Sequence, residues 1–188
     1  MTIRWAVLKF GGTSVSGRPQ WEAIARLVRA RWEQGWRVVL VCSAVTGVTD
    51  DLSALADEPA SGTKAEAVLE RHRRLAAELG VPETGWLCAA AKVIHRCRSA
   101  LEEGTNDEEK YAARAELLGQ GEWLSTRIGG AFLKEFIPVS WVDVRTVLRV
   151  QEEPELSPAR QWLSASCEPG FSAEMARDWE QLEPIVIT

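Results

Sequence analysis

The sequence predicts an α/β fold built on a mainly parallel sheet, and three observations predict it. An apolar run, Ile3 to Leu8, empties into the glycine turn Lys9-Phe10-Gly11-Gly12-Thr13-Ser14-Val15. Apolar side chains then recur at three- and four-residue steps, at Trp21, Ile24, Val28 and Trp32, until Gly35 stops them. A second apolar run, Trp36 to Cys42, follows at once. Strand, helix and strand at this spacing make a βαβ unit, so the two strands should lie parallel with a right-handed crossover.

Ile3 to Leu8 is apolar almost without alternation, the pattern of a strand buried on both faces. Pro19 suits the first turn of the helix that follows, because its fixed φ is already helical. The second strand runs into the small-residue loop Ser43-Ala44-Val45-Thr46-Gly47-Val48-Thr49, and Asp50 or Asp51 is expected to cap a short helix reaching Ala56. Asp57 to Gly62 is a polar break. Ala65, Val68, His72, Leu75 and Leu79 then share one helical face, which Gly80 and Pro82 end. Leu87, Ala90, Ile94, Cys97 and Leu101 mark a further helix, so the chain makes a helical excursion from the sheet, serving as a lid or as an oligomer contact.

Asn106 or Asp107 starts another helix with Tyr111, Ala115 and Leu118 on its apolar side. Gly119-Gln120-Gly121 interrupts it, and Glu122 to Lys134 resumes helical spacing through Leu124, Ile128 and Phe132. Pro138 to Val142 reads as a third strand. Glu152 to Glu168, broken by Pro154 and Pro158, reads as irregular with one short strand around Trp162 and Leu163. Ser172 is expected to cap a last helix through Trp179. Pro184 to Thr188 reads as a strand whose apolar face is left without cover.

Composition narrows the function. With 188 residues and 46% hydrophobic content, the chain can bury a core and make one domain. The net charge of -5 argues against a nucleic-acid partner, which demands basic patches. No apolar run approaches the roughly 20 residues of a membrane span, and Met1-Thr2-Ile3-Arg4 shows no secretory pattern, so a cytoplasmic location is expected. Cys42, Cys88, Cys97 and Cys167 form no Cys-x-x-Cys pair and no metal-type set with His72 or His95, and read as reduced, mostly buried thiols. Among the nine tryptophans, Trp21 and Trp32 fall on a helical face and read as core.

The glycine turn carries the chemistry. Two glycines let a backbone bend tightly and bring its N–H groups close to an anion, Lys9 adds a full positive charge, and Thr13 and Ser14 add hydroxyl donors. Gly-Gly after a strand is, by itself, also an ordinary turn. In this chain the lysine precedes the glycines, unlike the Walker arrangement, in which it follows them. In a parallel sheet the loops leaving adjacent strands lie side by side, so this turn and the Ser43 to Thr49 loop should face one crevice.

The heptad Lys9 to Val15 resembles the opening signature of the aspartate kinases of the amino-acid kinase family. Three later segments agree in order: Ser43-Ala44 with Gly47-Val48-Thr49; Gly121-Glu122-Trp123-Leu124-Ser125-Thr126, similar to a Gly-Glu-x-Leu-Ser segment; and Trp141-Val142-Asp143-Val144-Arg145, similar to a shorter Asp-Ala-Arg segment. The resemblance implies a three-layer sandwich of the amino-acid kinase or carbamate kinase type. It implies transfer of the ATP γ-phosphoryl group to the side chain of L-aspartate, the first step toward lysine, threonine and methionine, with Mg2+ held through the phosphates.

By the same resemblance Lys9 is the catalytic cation. Lys9, Gly11, Gly12, Thr13 and Ser14 bind phosphate, while Ser43, Thr49 and Glu122 bind the amino acid. Taken alone, Glu122 reads first as a helix-start carboxylate and Ser43 as a turn residue. Asp143 and Arg145 read as a structural pair. Residues 1–188 would be the N-terminal, amino-acid- and phosphate-binding part of a kinase domain. The Gly-Arg-Gly-Gly-Ser-Asp motif and nucleotide-binding half of the family are not in this sequence, so the remaining half is an expected partner and the chain alone an inactive one. The full enzyme is expected to be a homo-oligomer, and Trp162 to Cys167 resembles aspartate kinases fused to a diaminopimelate decarboxylase. Two alternatives stand beside this reading: another carboxylate kinase of the superfamily, acting on glutamate or acetylglutamate, and a noncatalytic anion- or amino-acid-binding half-domain.

Overall fold

The computed structural model describes residues 3–151, 153–164, 166–167 and 173–188. Strands β1 (Arg4–Phe10), β2 (Trp36–Cys42), β3 (Val139–Trp141) and β4 (Ile185–Ile187) form one sheet in the order β1-β2-β4-β3, with every neighbouring pair parallel. Val7 lies opposite Val39, Val39 opposite Val186, and Ser140 opposite Val186. The parallel βαβ unit is therefore present, with α1 (Arg18–Glu33) as its crossover. Trp21, Ile24 and Val28 are buried, and Gly35, at φ +80, makes the left-handed turn into β2 that a side chain would strain.

Between β2 and β3 the chain makes five helices: α2 (Val48–Asp57), α3 (Gly62–Leu79), α4 (Trp86–Glu103), α5 (Asp107–Leu118) and α6 (Gln120–Lys134). The helical excursion is built into the core: α3 and α4 both pack on α6, and α6 lies on β2 and β3. Leu8, Phe10, Val38, Leu40, Ile185, Ile187 and Val139 meet α1 and α6 on one face of the sheet. The tightest contact is between the helices. Trp21 is fully buried and donates its indole N–H to Val15 O (3.0 Å), while a Cβ on Gly129 would fall 1.9 Å from the Trp21 ring. Gly130, beside it, lets α6 approach Ile187 of β4, where a Cβ would stand 3.1 Å from Cγ2.

Several expectations are corrected. The apolar run of β1 is not buried on both faces: Val7 is 67% exposed, and Val41 of the neighbouring β2 is exposed on the same side of the sheet, so that face lacks full cover at this end. The cap of α2 is Gly47, in the left-handed region at φ +78, rather than Asp50 or Asp51, which sit in the first turn where the helix dipole favours them. On α5 the Asn106 cap is present, its side chain accepting from Glu109 N–H, but the buried stripe is Ala113 and Leu117, with Tyr111, Ala115 and Leu118 half-buried.

The segment expected to be irregular with a strand at Trp162 and Leu163 instead forms helix α7 (Pro158–Leu163), because Pro158 occupies a first-turn position after Ser157 and starts the helix rather than breaking it. Helix α8 (Ala173–Glu180) is present, and its expected cap, Ser172, lies outside the described residues. β4 lies between β2 and β3, and Ile185, Val186 and Ile187 are fully buried; exposed apolar side chains lie elsewhere, Val7, Val41, Phe136 and Val150 among them. Cys42 and Cys97 are buried, with their thiols pushed up to about 12 by desolvation, but Cys88 and Cys167 are exposed.

Candidate active site

The carboxyl ends of β1 and β2 stand side by side, Phe10 opposite Cys42, and Ser43 N–H donates to Phe10 O (3.0 Å) where the two loops diverge. The first loop bends through Gly11 into a 3-10 turn, Gly12–Val15, closed by Ser14 N–H on Gly11 O (2.9 Å). Its two glycines do different work. A Cβ on Gly12 would stand 2.8 Å from Ala44 O and 3.2 Å from Thr46 N, so the two loop backbones touch there and leave no room for a side chain. Around the corresponding position of Gly11 there is nothing within 4 Å, so the backbone faces open space that a ligand can enter.

The start of α6 closes the third side. A Cβ on Gly121 would lie 2.7 Å from Ala44 Cβ and 3.0 Å from Val48 Cγ1, which fixes the helix start against the second loop. Ser125 Oγ donates to Ser43 O (2.8 Å), and Thr126 Oγ1 donates to Glu122 O (2.8 Å) while accepting from the Trp141 indole (3.0 Å). The four segments singled out in the sequence are thus joined by direct contacts at one edge of the sheet.

Lys9, the last residue but one of β1, lies opposite Val41; it is exposed and enters no ion pair among the described residues. Gly11, Gly12, Thr13 and Ser14 form the turn beside it, with Thr13 exposed. Ser43 is half-buried at the root of the second loop, and its backbone is bonded on both sides. Thr49 is exposed in the first turn of α2, and Glu122 is half-buried in the first turn of α6. Asp143 and Arg145 hold one another through two bonds (2.8 and 2.6 Å), and that guanidinium draws the Asp143 carboxyl below its ordinary value.

Sequence reading passes over three further residues. Ser16 Oγ meets Thr46 Oγ1 (3.0 Å) and donates to Gly12 O (2.5 Å), and Arg71 of α3 donates to Thr46 O (2.5 Å). Arg71 belongs to the run Glu70-Arg71-His72-Arg73-Arg74, and only helix phase separates it from the arginines that face solvent. Among the described residues no group of three His, Cys, Asp or Glu side chains is placed to hold a metal ion, and no helix is long and apolar enough to cross a membrane.

His72 lies beneath this edge. It is fully buried; its Nδ1 meets Val68 O (2.8 Å), and Nε2, toward the Gly121 backbone, makes no hydrogen bond. Burial, with Arg71 beside it, depresses its pKa below the ordinary 6.5. The folded chain therefore binds this proton less readily than the unfolded chain, and stability is lost as pH falls below 6.5. The Glu70 and Asp143 carboxyls, lowered by their arginine partners, act in the same direction only below 4.5 and 3.8. Urea unfolding between pH 6.5 and 4.5 should accordingly show a positive slope of stability against pH. His72→Leu should flatten it; an unchanged slope would place the proton elsewhere.

Comparison with known proteins bears on the family and the fold. Residues 4–169 match the amino acid kinase family. The fold is similar to that of E. coli aspartokinase III in complex with aspartate and ADP (R-state), with a TM-score of 0.72, 22% identity, and coverage of 98% of this chain and 40% of that one. It is similar also to E. coli aspartokinase III in complex with lysine and aspartate (T-state), with a TM-score of 0.68, 22% identity and the same coverage. This chain thus spans 40% of the length of those proteins. No curated protein matches it by sequence. A parallel sheet whose first glycine turn, second loop and Gly121 helix meet at one edge, within a family match that takes in nearly the whole chain, establishes that this protein belongs to the amino acid kinase family.

Proposed function

We propose that this chain is the amino-acid- and phosphate-binding part of an aspartate kinase, and that a further, nucleotide-binding half completes the site. The observation that carries the reading is the convergence of the Gly12 turn, the Ala44 loop and the Gly121 helix start, because a carboxylate kinase must present a phosphate cradle and an amino-acid grip to one crevice. The aspartate side chain, with an unperturbed pKa of about 3.9, is ionised at neutral pH and attacks phosphorus without a general base. One carboxylate oxygen forms the new P–O bond as the bond from γ-phosphorus to the β,γ-bridging oxygen breaks, and ADP leaves with that electron pair.

Charge is the obstacle, since nucleophile and phosphate are both negative. Lys9 and the backbone around Gly11 offer positive charge and N–H donors, and the space beside Gly11 is open to a ligand. Magnesium bound to the nucleotide would neutralise further oxygen charge. Glu122 pairs with the substrate ammonium, and Ser43 and Thr49 orient the substrate from the second loop. The test is ATP-dependent trapping of the acyl phosphate by hydroxylamine, using the longer polypeptide with aspartate, glutamate and acetylglutamate in parallel. Aspartate alone should give hydroxamate, and the 188-residue chain alone should give none. Preference for glutamate or acetylglutamate would overturn the substrate assignment.

A further inference from the structure

We infer that Arg71 is a positioning residue for phosphoryl transfer, acting through Thr46 and Ser16 to lock the phosphate turn against the amino-acid loop; the inference rests on the kinase reading. The path is continuous. Arg71 Nη1 donates to Thr46 O (2.5 Å) and Nη2 to Asp51 Oδ2 (2.9 Å), so one guanidinium ties the second loop to the start of α2. Thr46 Oγ1 meets Ser16 Oγ at 3.0 Å, Thr46 N–H points at the same oxygen (3.4 Å), and Ser16 Oγ donates to Gly12 O (2.5 Å). A planar fork suits the place, since its two donors reach a carbonyl and a side-chain oxygen at once.

The packing around the path agrees. Gly47 is in the left-handed region, and a Cβ on it would fall 2.7 Å from Arg71 Nη1, so the guanidinium occupies the side of the loop that any other residue would fill. Gly12 in turn presses on Ala44 O and Thr46 N. The brace therefore sets the separation of two loops that, on the kinase reading, carry the two reactants. Holding reactants in register is where phosphoryl transfer gains most, and a displacement of about 1 Å caused far from the chemistry can cost on the order of 100-fold in rate.

Arg71 is also half of an ion pair with Asp51, and its side chain is 40% exposed against 33% for its partner. A pair this open contributes little to stability. That contrast separates a positioning role from a structural one. In the longer enzyme carrying both halves, Arg71→Met should lower kcat by about 10- to 100-fold with KM for aspartate and ATP nearly unchanged, since each loop still binds its own reactant. Ser16→Ala should lower kcat in the same way, and the double variant should lose little more than the larger single loss, as members of one path do. Asp51→Asn, which removes the charge pair but keeps the Thr46 bond, should leave kcat near its starting value.

Hydrogen exchange on the 188-residue chain gives a readout without catalysis: Arg71→Met should speed exchange of the amides of residues 44–49. If wild-type enzyme phosphorylates aspartate while Arg71→Met keeps full kcat, the brace is overturned and the kinase reading stands. Loss of kcat in Asp51→Asn equal to that in Arg71→Met would likewise overturn it, assigning the effect to the ion pair. A wild-type enzyme with no kinase activity would overturn the kinase reading itself, and with it the positioning role of Arg71.

Discussion

Lys9→Ala in the enzyme that carries both halves should remove about 2 to 4 kcal/mol of transition-state stabilisation, a fall of roughly 30- to 900-fold in kcat/KM. The size follows from what the side chain is asked to do. Lys9 stands exposed at the carboxyl end of β1, beside the open space at Gly11, with no carboxylate among the described residues holding its charge. Its charge is therefore available for phosphate oxygens, whose negative charge must be offset in transit. Glu122→Gln should act differently, raising KM for aspartate while leaving KM for ATP unchanged, because on the proposed reading Glu122 binds the amino acid and not the nucleotide. Steady-state kinetics by coupled ADP release would read both, and unchanged acyl phosphate formation after replacing both residues by alanine would sink the assignment.

The second large effect is on stability. Trp21→Ala should cost about 3 to 5 kcal/mol, the range for emptying a fully buried aromatic site. In a domain whose whole margin is of order 5 to 15 kcal/mol, that brings the chain near unfolding. Gly129→Ala attacks the same contact from the other side: its Cβ would fall 1.9 Å from the indole, and overpacking of this kind costs typically about 1 to 3 kcal/mol or more. Combining the two should cost less than their sum, since Trp21→Ala empties the space that the methyl at 129 invades. Urea unfolding followed by far-UV circular dichroism would measure the cycle, and strict additivity would mean that the two residues do not share a site. Because the Trp21 indole also holds Val15 O, the variant should loosen the Gly12–Val15 turn.

Much of this architecture is legible in the residues. The stripes of α1, α3 and α4 match the observed burial because each helix buries one face, except that Trp32 and Leu101, in the last turns of α1 and α4, are only half-buried. On α5 the period misleads, since that helix packs against both α4 and α7 and its half-buried residues flank the stripe. β1 and β4 mislead for a topological reason. Both read as apolar strands, but what packs over each face of the sheet decides which residues are covered, and that depends on contacts far apart in sequence: β4 slots into the middle and is buried, while Val7 of β1 and Val41 of β2 are left open on one face. Of the site, the glycine turn, the second loop and the Gly121 helix carry recognisable spellings. Ser16, Thr46 and Arg71 do not, because a brace is defined by which carbonyl a side chain reaches, and no residue pattern records that.

The place of β4 bears on how the chain is made. Val38 of β2 waits for Ile185, and Val139 of β3 waits for the same residue, so neither half of the sheet can zip to the other until β4, the last of the four strands to be synthesised, has left the ribosome. Until then the nascent chain must keep one flank of β2 unpaired through the whole helical insertion, a window in which holdase chaperones would find their substrate.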